Sequence, residues 1–281
     1  MPKVTILLLT YKSKPAYLIK SIDSALNQTF TDFELLVIDD GPGDNNKAVL
    51  SEYKAEDERI RIIRNKSRIG RLKSRNKGLK KAKGEYIAVL DSDDFWCDRD
   101  KLKKQVDFLK NHPDYGAVGT AMFLVDKDGK KIGQIKYPTS NQEIRKYMLS
   151  SFQMAHPSIL FRKKVTKAVG FYSENRLYKF GEDYEYFLRM GEKYKLANLV
   201  DYCLSYRIHP GSGSIKNEFK QRLTGLLLTL KYFGKYPNGI SALLKKFATL
   251  FLPRSVMDRL IKENKFLSKI YENFTGIKKN F

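Results

Sequence analysis

The first ninety residues alternate between apolar runs and helical patterns. Val4–Leu9, Phe33–Ile38, Ile60–Ile63 and Tyr86–Leu90 are compact apolar stretches of strand length. Between them the apolar positions recur at helical spacing, as with Leu18, Ile22, Ala25 and Leu26 inside Ala16–Leu26. Lys47–Tyr53 and Leu72–Ala82 continue the alternation as helices. Strands that lack strict in-out alternation and are separated by helices predict βαβ units around a largely parallel, buried sheet.

The middle of the chain is less regular. Tyr115–Val125 and Lys131–Ile135 read as strands around the turn at Asp128–Gly129. Asn141–Leu149 reads as a helix, Ser158–Phe161 as a short strand, Asp183–Lys193 as a helix and Leu199–Ile208 as an extended segment. From Asn217 onward the pattern changes to basic amphipathic helices, broken at Pro237–Asn238–Gly239 and at Pro253. Leu223, Leu226, Leu227, Leu230 and Phe233 mark the first, Leu243–Leu252 the second, and Arg254–Phe274 the third. The expected organisation is therefore a catalytic α/β domain over 1–215 and a helical extension over 216–281.

Composition sharpens this picture. The chain has 281 residues, 42% of them hydrophobic, which suits one large folded domain with a small appendage. Its formal net charge is +22 and its pI about 9.7, a balance that attracts phosphorylated substrates, anionic membrane or nucleic acid. Cys97 and Cys203 lie far apart and form no CxxC pattern, so neither a zinc site nor a disulfide framework is implied, and a reducing cytoplasm is the expected setting. Met1–Pro2–Lys3 leads straight into Val4–Leu9, too short a run for a secretory signal core. No stretch reaches the ~18–20 apolar residues of a spanning helix.

The candidate chemistry falls where a parallel sheet would put it, at the carboxyl ends of strands. Asp91–Ser92–Asp93–Asp94 follows the fourth run. Crowded carboxylates repel unless a cation joins them, and hard oxygen ligands suit Mg²⁺ or Mn²⁺; an acidic loop capping the next helix would look the same. Asp39–Asp40–Gly41 is either a plain turn or a carboxylate acceptor for a base or ribose. Tyr11, after Thr10, offers a flat face to a nucleobase. Asp183 is either a helix cap or, with Glu182 beside it, a base placed in a cleft. His209, one of three histidines, is a surface-loop residue or a ligand for metal or diphosphate. Arg68, Arg71, Lys73 and Arg75 form a solvated basic face or a contact for base and phosphates.

The order of these motifs resembles family 2 glycosyltransferases of the GT-A fold, over roughly residues 3–210. The resemblance rests on Val4-Thr5-Ile6 to Thr10-Tyr11, Ser24-Ala25-Leu26-Asn27-Gln28-Thr29-Phe30 and Glu34-Leu35-Leu36-Val37-Ile38-Asp39-Asp40-Gly41. It continues through Ser74-Arg75-Asn76-Lys77-Gly78, the run Gly84–Asp94, Gly170-Phe171-Tyr172, the run Gly181–Arg189 and Tyr206-Arg207-Ile208-His209. One departure is Pro42–Gly43, where the family often has Ser after Asp-Asp-Gly. The resemblance implies a GT-A, Rossmann-like α/β domain with a mixed, mostly parallel sheet. It implies nucleobase contacts from Thr10 and Tyr11, a hydrogen bond to the base from Asp40 with Asp39 beside it, and nucleotide contacts from Ser92, Arg68 and Lys73. Asp91 and Asp93 become a DxD pair, with Asp91 toward ribose or metal and Asp93 on the metal. His209 helps to bind metal or diphosphate, Asp183 is the catalytic base, and Glu182 and Arg75 face the donor or acceptor sugar.

The expected activity is an inverting, Mn²⁺- or Mg²⁺-dependent transfer from a nucleotide-sugar, with UDP as the implied nucleotide, to a saccharide or lipid-linked hydroxyl in surface-polysaccharide synthesis. The expected setting is cytoplasmic, and the last helices either pack on the catalytic domain, pair in a homodimer or attach peripherally to anionic membrane. Two rivals fit less well. A sugar-1-phosphate nucleotidyltransferase would carry a Gly-rich loop where this chain has Thr10–Tyr11–Lys12–Ser13–Lys14. A nucleic-acid binder has no use for the Asp91–Asp94 cluster, since carboxylates repel a phosphate backbone.

Overall fold

A computed structural model describes residues 1–42, 46–209, 211, 217–250, 259 and 278–280. Gly43, the expected boundary at 215/216, Pro253 and, save residue 259, the third helical stretch lie outside the described residues.

The chain begins as the apolar pattern predicts. Strands β1 (Val4–Thr10), β2 (Phe33–Asp39), β3 (Ile60–Arg64) and β4 (Tyr86–Asp91) alternate with helices α1 (Pro15–Leu26), α2 (Asn46–Glu56) and α3 (Arg71–Lys81). These strands pair in parallel in the order β3-β2-β1-β4. Pro15 opens α1, where its missing N–H costs nothing and its fixed φ suits the helix.

Beyond β4 the sheet becomes mixed. The two-residue β5 (Phe95–Trp96) is followed by α4 (Lys101–Asn111), the long β6 (Tyr115–Val125) and β7 (Lys131–Lys136). Then come α5 (Asn141–Tyr147), β8 (Leu160–Arg162), α6 (Lys163–Val169), α7 (Glu182–Lys193) and β9 (Lys195–Arg207). β8 joins β4 and β6 antiparallel, while β9 runs parallel to β6 along its length. β9 also pairs antiparallel with β5, so Phe95 lies opposite Ser205. This pairing carries the chain from β9 back to the loop after β4. Helices α8 (Glu218–Lys231) and α9 (Gly239–Thr249) follow, and β10 (Lys278–Asn280) adds to the β7 edge.

Strand alternation builds two cores from one sheet. Ile6, Leu8, Leu35, Val37, Ala88 and Leu90 point to one face, where α1 and α4 cover them. Leu7, Leu36, Ile38, Ile87 and Val89 point to the other, beneath α3 and α7. Strands buried on both sides need no polar face, which is why their sequences run continuously apolar. Each fully buried Leu or Ile contributes about 1.5–3 kcal/mol. Helix α3 lies so close to β1 that a Cβ on Gly78 would sit 2.3 Å from Leu7 Cδ1.

The elements differ from the expected ones in three places. α4 is absent from the sequence reading although Leu102, Val106 and Leu109 stand at helical i, i+4, i+7 spacing, and the core buries all three. The strand expected at Ser158 starts with a 3-10 turn, His156–Ser158, and β8 begins at Leu160. β9 begins four residues earlier than expected and bulges, so that Thr120 pairs Leu199 while Ala121 pairs Tyr202.

The helices after residue 216 pack on the body. Leu228, Tyr232, Tyr236 and Ala242 belong to the second core. Thr229 Oγ1 donates to Leu149 O at 3.0 Å, and Tyr236 Oη to Leu188 O at 2.6 Å.

Candidate active site

The carboxyl ends of β1, β2 and β4 converge, as a parallel sheet requires. At the end of β2, Asp39 Oδ1 accepts from Gly41 N at 3.0 Å and Oδ2 from Arg64 Nε at 3.2 Å. Asp40 Oδ1 accepts from Asn65 Nδ2 at 2.8 Å and Ile69 N at 2.9 Å, while Oδ2 accepts from Gly70 N at 2.8 Å. Asp40 is buried and therefore anchors the 65–70 loop. Gly70 holds φ +90°, a conformation side-chain-bearing residues avoid. The loop carries Arg68, whose guanidinium lies 4.2 Å from the centre of the exposed Tyr11 ring. Thr10 Oγ1, Ser13 Oγ and Ser92 Oγ form a chain with links of 3.0 and 2.7 Å, joining the ends of β1 and β4. Lys73 is exposed on α3, and no hydrogen bond or ion pair links it to another described residue.

The motif on α3 gives each residue a distinct task. Ser74 accepts from Asn65 at 2.9 Å. Asn76 clamps Tyr172 by both backbone groups, at 2.9 and 3.0 Å. Lys77 donates to Asn65 Oδ1 at 2.6 Å. Arg75, buried, aims its guanidinium at Asp91 Oδ1 and Glu182 Oε1, each 3.4 Å away. Arg71 reaches the same Glu182 oxygen at 2.6 Å. One guanidinium thus joins the end of β4 to the start of α7.

The β5–β9 pairing brings His209 to the acidic loop, although 116 positions separate it from Asp93. Its Nε2 lies 3.1 Å from Asp93 Oδ2, and Gly211 N donates to Nδ1 at 3.1 Å. Arg207 braces the loop: its N donates to Asp94 Oδ1 at 2.7 Å and its Nε to Asp93 O at 2.9 Å. Asp94 Oδ2 is buried without a hydrogen-bond partner.

The electrostatics follow from burial and crowding. Burial raises the Asp91 pKa, with Arg75 opposing and Asp93 and Asp183 adding to the rise. Asp94 is pushed well above the usual carboxylate range by burial and then by Asp93 and Asp91. Burial also raises Glu182, against Arg71 and Arg75. Burial disfavours the Arg75 charge, but Asp91, Tyr172, Glu182 and Asp183 outweigh it and raise its pKa. Asp183, half-buried in the first turn of α7, is thus close enough to act on both Asp91 and Arg75.

The structure brings Asp91, Asp93, His209, Arg75, Glu182 and Asp183 together, with Thr10 and Ser92 joined through Ser13 at the ends of β1 and β4 and Tyr11 under Arg68. It also shows parts that motif reading passes over. His156 Nε2 lies 3.1 Å from Tyr172 Oη beneath Arg75, and burial, then Arg75 and Arg71, lower its pKa well below the usual range. His156 carries no local signature, because its role comes from a loop folding under α3. Arg207 could have been found from its place two residues before His209.

A profile described as Glycosyl transferase family 2 matches residues 5–170. The chain belongs to family 2 of the glycosyltransferases. An uncharacterised glycosyltransferase of Methanocaldococcus jannaschii is 31% identical over 226 residues, covering 79% of this chain and 76% of that protein. An Escherichia coli UDP-Glc:α-D-GlcNAc-diphosphoundecaprenol β-1,3-glucosyltransferase is 32% identical over 225 residues, covering 79% and 83%. Among solved structures, Staphylococcus aureus TarS 1–349 in complex with UDP-GlcNAc matches with a TM-score of 0.68 at 20% identity, covering 90% of this chain and 74% of that one. A Pyrobaculum calidifontis mannosyltransferase in complex with GDP-Man and Mn²⁺ matches at 0.65 and 17% identity, covering 92% and 75%. The fold is GT-A-like, a mixed α/β sheet with helices on both faces. Among the described residues no helix is long and apolar enough to cross a membrane.

Proposed function

We propose that this glycosyltransferase is a hexosyltransferase that moves a sugar from a UDP-sugar to a hydroxyl of a saccharide acceptor, with inversion, in surface-glycan synthesis. The relatives support the donor and acceptor classes: one is named for UDP-Glc and a diphosphoundecaprenol-linked acceptor, and a structural neighbour holds UDP-GlcNAc. We place the acceptor on a lipid diphosphate and the enzyme at the cytoplasmic face of the membrane.

The observation that carries the reading is the Arg75 bridge between Asp91 and Glu182, which sets Asp183 beside the acidic loop. The donor set fits a divalent cation. Asp93 Oδ2 and His209 Nε2 converge, with Asp91 adjacent. Among the described residues no group of three His, Cys, Asp or Glu side chains is placed to hold a metal ion, so the protein would supply the Asp93–His209 pair and the donor's phosphate oxygens would supply further ligands. A half-built site leaves positions for phosphate oxygens, and its mixed oxygen and nitrogen donors suit Mn²⁺ better than Mg²⁺. When bound, the cation supplies Lewis-acid stabilisation of the departing diphosphate.

The protein's own groups do the rest. Tyr11 and Arg68 offer a stacking face to the base, and Asp40 holds their loop in place. Thr10 and Ser92 line the ribose side. Arg75 and Glu182, paired with each other, form the floor beneath the sugar, with Arg71 on the solvent side. Asp183 takes the proton from the acceptor hydroxyl as that oxygen attacks the anomeric carbon opposite the diphosphate. A single in-line displacement inverts the anomeric configuration.

The test is a panel of UDP- and GDP-sugars incubated with purified protein, with Mn²⁺ or with chelator, reading released nucleoside diphosphate. Mn²⁺-dependent consumption of a UDP-sugar is expected. Failure to consume any nucleotide-sugar, or equal rates in chelator, overturns the reading.

A further inference from the structure

Large hydrophobic side chains that remain exposed cluster in one part of this molecule. Among the described residues 15 are exposed, and seven of them fall between Phe219 and Phe247. Phe219, Leu223, Leu230 and Phe233 follow the outer side of α8 and its end, between 40% and 54% exposed. Ile240, Leu244 and Phe247 are 70%, 68% and 60% exposed on α9. Their i, i+4, i+7 spacing puts them on one helix face. The Phe233 ring abuts Gly239, where a Cβ would lie 2.9 Å from it, so the end of α8 and the start of α9 form one patch. The opposite sides of these helices are already in use, since Leu228, Tyr232 and Ala242 are core residues. An open groove of about 780 Å³ runs along α9, lined among the described residues by Ile240, Leu244, Lys245 and Ala248.

Charge chooses the occupant. Residues 217–250 contain six Lys and Arg and one acidic residue, Glu218. A second copy would press like charge on like, which disfavours association. Arg222 and Lys231 are paired with Glu218 and Glu185, and Lys246 turns inward toward Gly225 and Tyr184. Lys220, Lys235 and Lys245 border the apolar stripe, and an anionic lipid surface satisfies both.

Position gives the surface a purpose. α8 borders the start of α7: a Cβ on Gly181 would lie 3.0 Å from Thr224 Cγ2, and Thr224 Oγ1 donates to Leu177 O at 3.3 Å. Leu177 is itself 59% exposed. The start of α7, which carries Asp183, therefore packs on the inner side of α8, and the exposed Leu177 stands beside that contact.

We infer that the outer face of α8 and α9 is an interfacial docking surface for anionic membrane, and that it presents the Asp183 side of the cleft to an acceptor held in that membrane. This rests on the lipid-linked acceptor proposed above. Docking is through side chains in the headgroup region, with no helix spanning the bilayer.

The experiment uses the full chain and vesicles of phosphatidylcholine with and without phosphatidylglycerol. Flotation is expected only with phosphatidylglycerol, and it weakens with added salt. Leu244→Glu with Phe247→Glu is expected to lower the floating fraction about tenfold or more, because two charges replace apolar anchors. Mn²⁺-dependent hydrolysis of the donor in solution stays at the wild-type rate in that variant, which also reports that it is folded. Transfer to a vesicle-embedded lipid-diphosphate saccharide falls in parallel with flotation, while transfer to a short soluble glycoside does not. Wild-type protein that ignores phosphatidylglycerol vesicles at low salt overturns the inference. So does a wild-type dimer that the two substitutions split, which makes the face a self-interface. Loss of donor hydrolysis in wild-type protein would count against the proposed activity and leave the flotation result standing.

Discussion

Arg75→Gln tests the bridge that organises the cleft. The guanidinium is buried, and its nearest anionic partners are Asp91 and Glu182 at 3.4 Å. Removing one member of a buried charge network typically costs about 3–5 kcal/mol. Two features reduce that here. Arg71 stays on Glu182 at 2.6 Å, and the Asp91 side chain is 33% exposed, so water can take over part of the pairing. The expected loss is about 2–3 kcal/mol at neutral pH, read by urea denaturation. The pH dependence has a definite sign. Glu182 sits above its ordinary value of 4.5 because of burial, and losing Arg75 raises it further. An acid with a raised folded pKa binds its proton more tightly folded than unfolded. Stability therefore falls as pH rises from about 4.5 through the folded pKa. The penalty of Arg75→Gln is expected to shrink as the pH falls from neutral, because protonation of Glu182 removes the need for a counter-charge. Glu182→Gln in the same background should recover part of the loss, with a coupling of about 1 kcal/mol or more. A loss below about 0.5 kcal/mol, or strict additivity in the double-mutant cycle, would refute the reasoning.

Other outcomes follow from the same geometry. Asp183→Asn keeps the shape and removes the base, so transfer should fall by about 10²–10⁴ while donor affinity, by calorimetry, hardly changes; equal loss of both reassigns Asp183 to donor binding. Asp93→Ala should abolish the Mn²⁺-dependent part of UDP binding with little change in melting temperature, and Mn²⁺-enhanced UDP binding that survives it removes Asp93 from the metal site. Gly70→Ala forces a side chain into φ +90° and should destabilise by about 1–3 kcal/mol, with weaker UDP binding because Arg68 is displaced; a neutral effect on both measurements means the loop tolerates another backbone shape.

Much of the N-terminal half was legible in the sequence, because its signals are local. Apolar runs such as Leu35–Ile38 can be buried only between two helical layers, and a parallel sheet presents its strand ends on one side. Thr10, Asp39 and Asp91 are therefore placed as soon as the strands are recognised. Resemblance added the order of the motifs and gave His209 and Asp183, already candidates by residue type and place, their expected roles. α4 goes unread although Leu102, Val106 and Leu109 hold helical spacing, and nothing near His156 announces a buried histidine beside Tyr172.

The sequence by itself determined the first four strands, the acidic loop and the basic amphipathic character of α8 and α9, because period and residue type are properties of short windows. Only the tertiary structure decided which carboxylates meet which cations. Asp40 proved to anchor the 65–70 loop because that loop folds back over β2. His209 meets Asp93 because β9 pairs with the two-residue β5, a contact between segments more than a hundred residues apart. The side of α8 that packs on α7, and the side left to the exterior, were likewise settled by long-range packing. An amphipathic pattern states that one face is apolar but not what covers it.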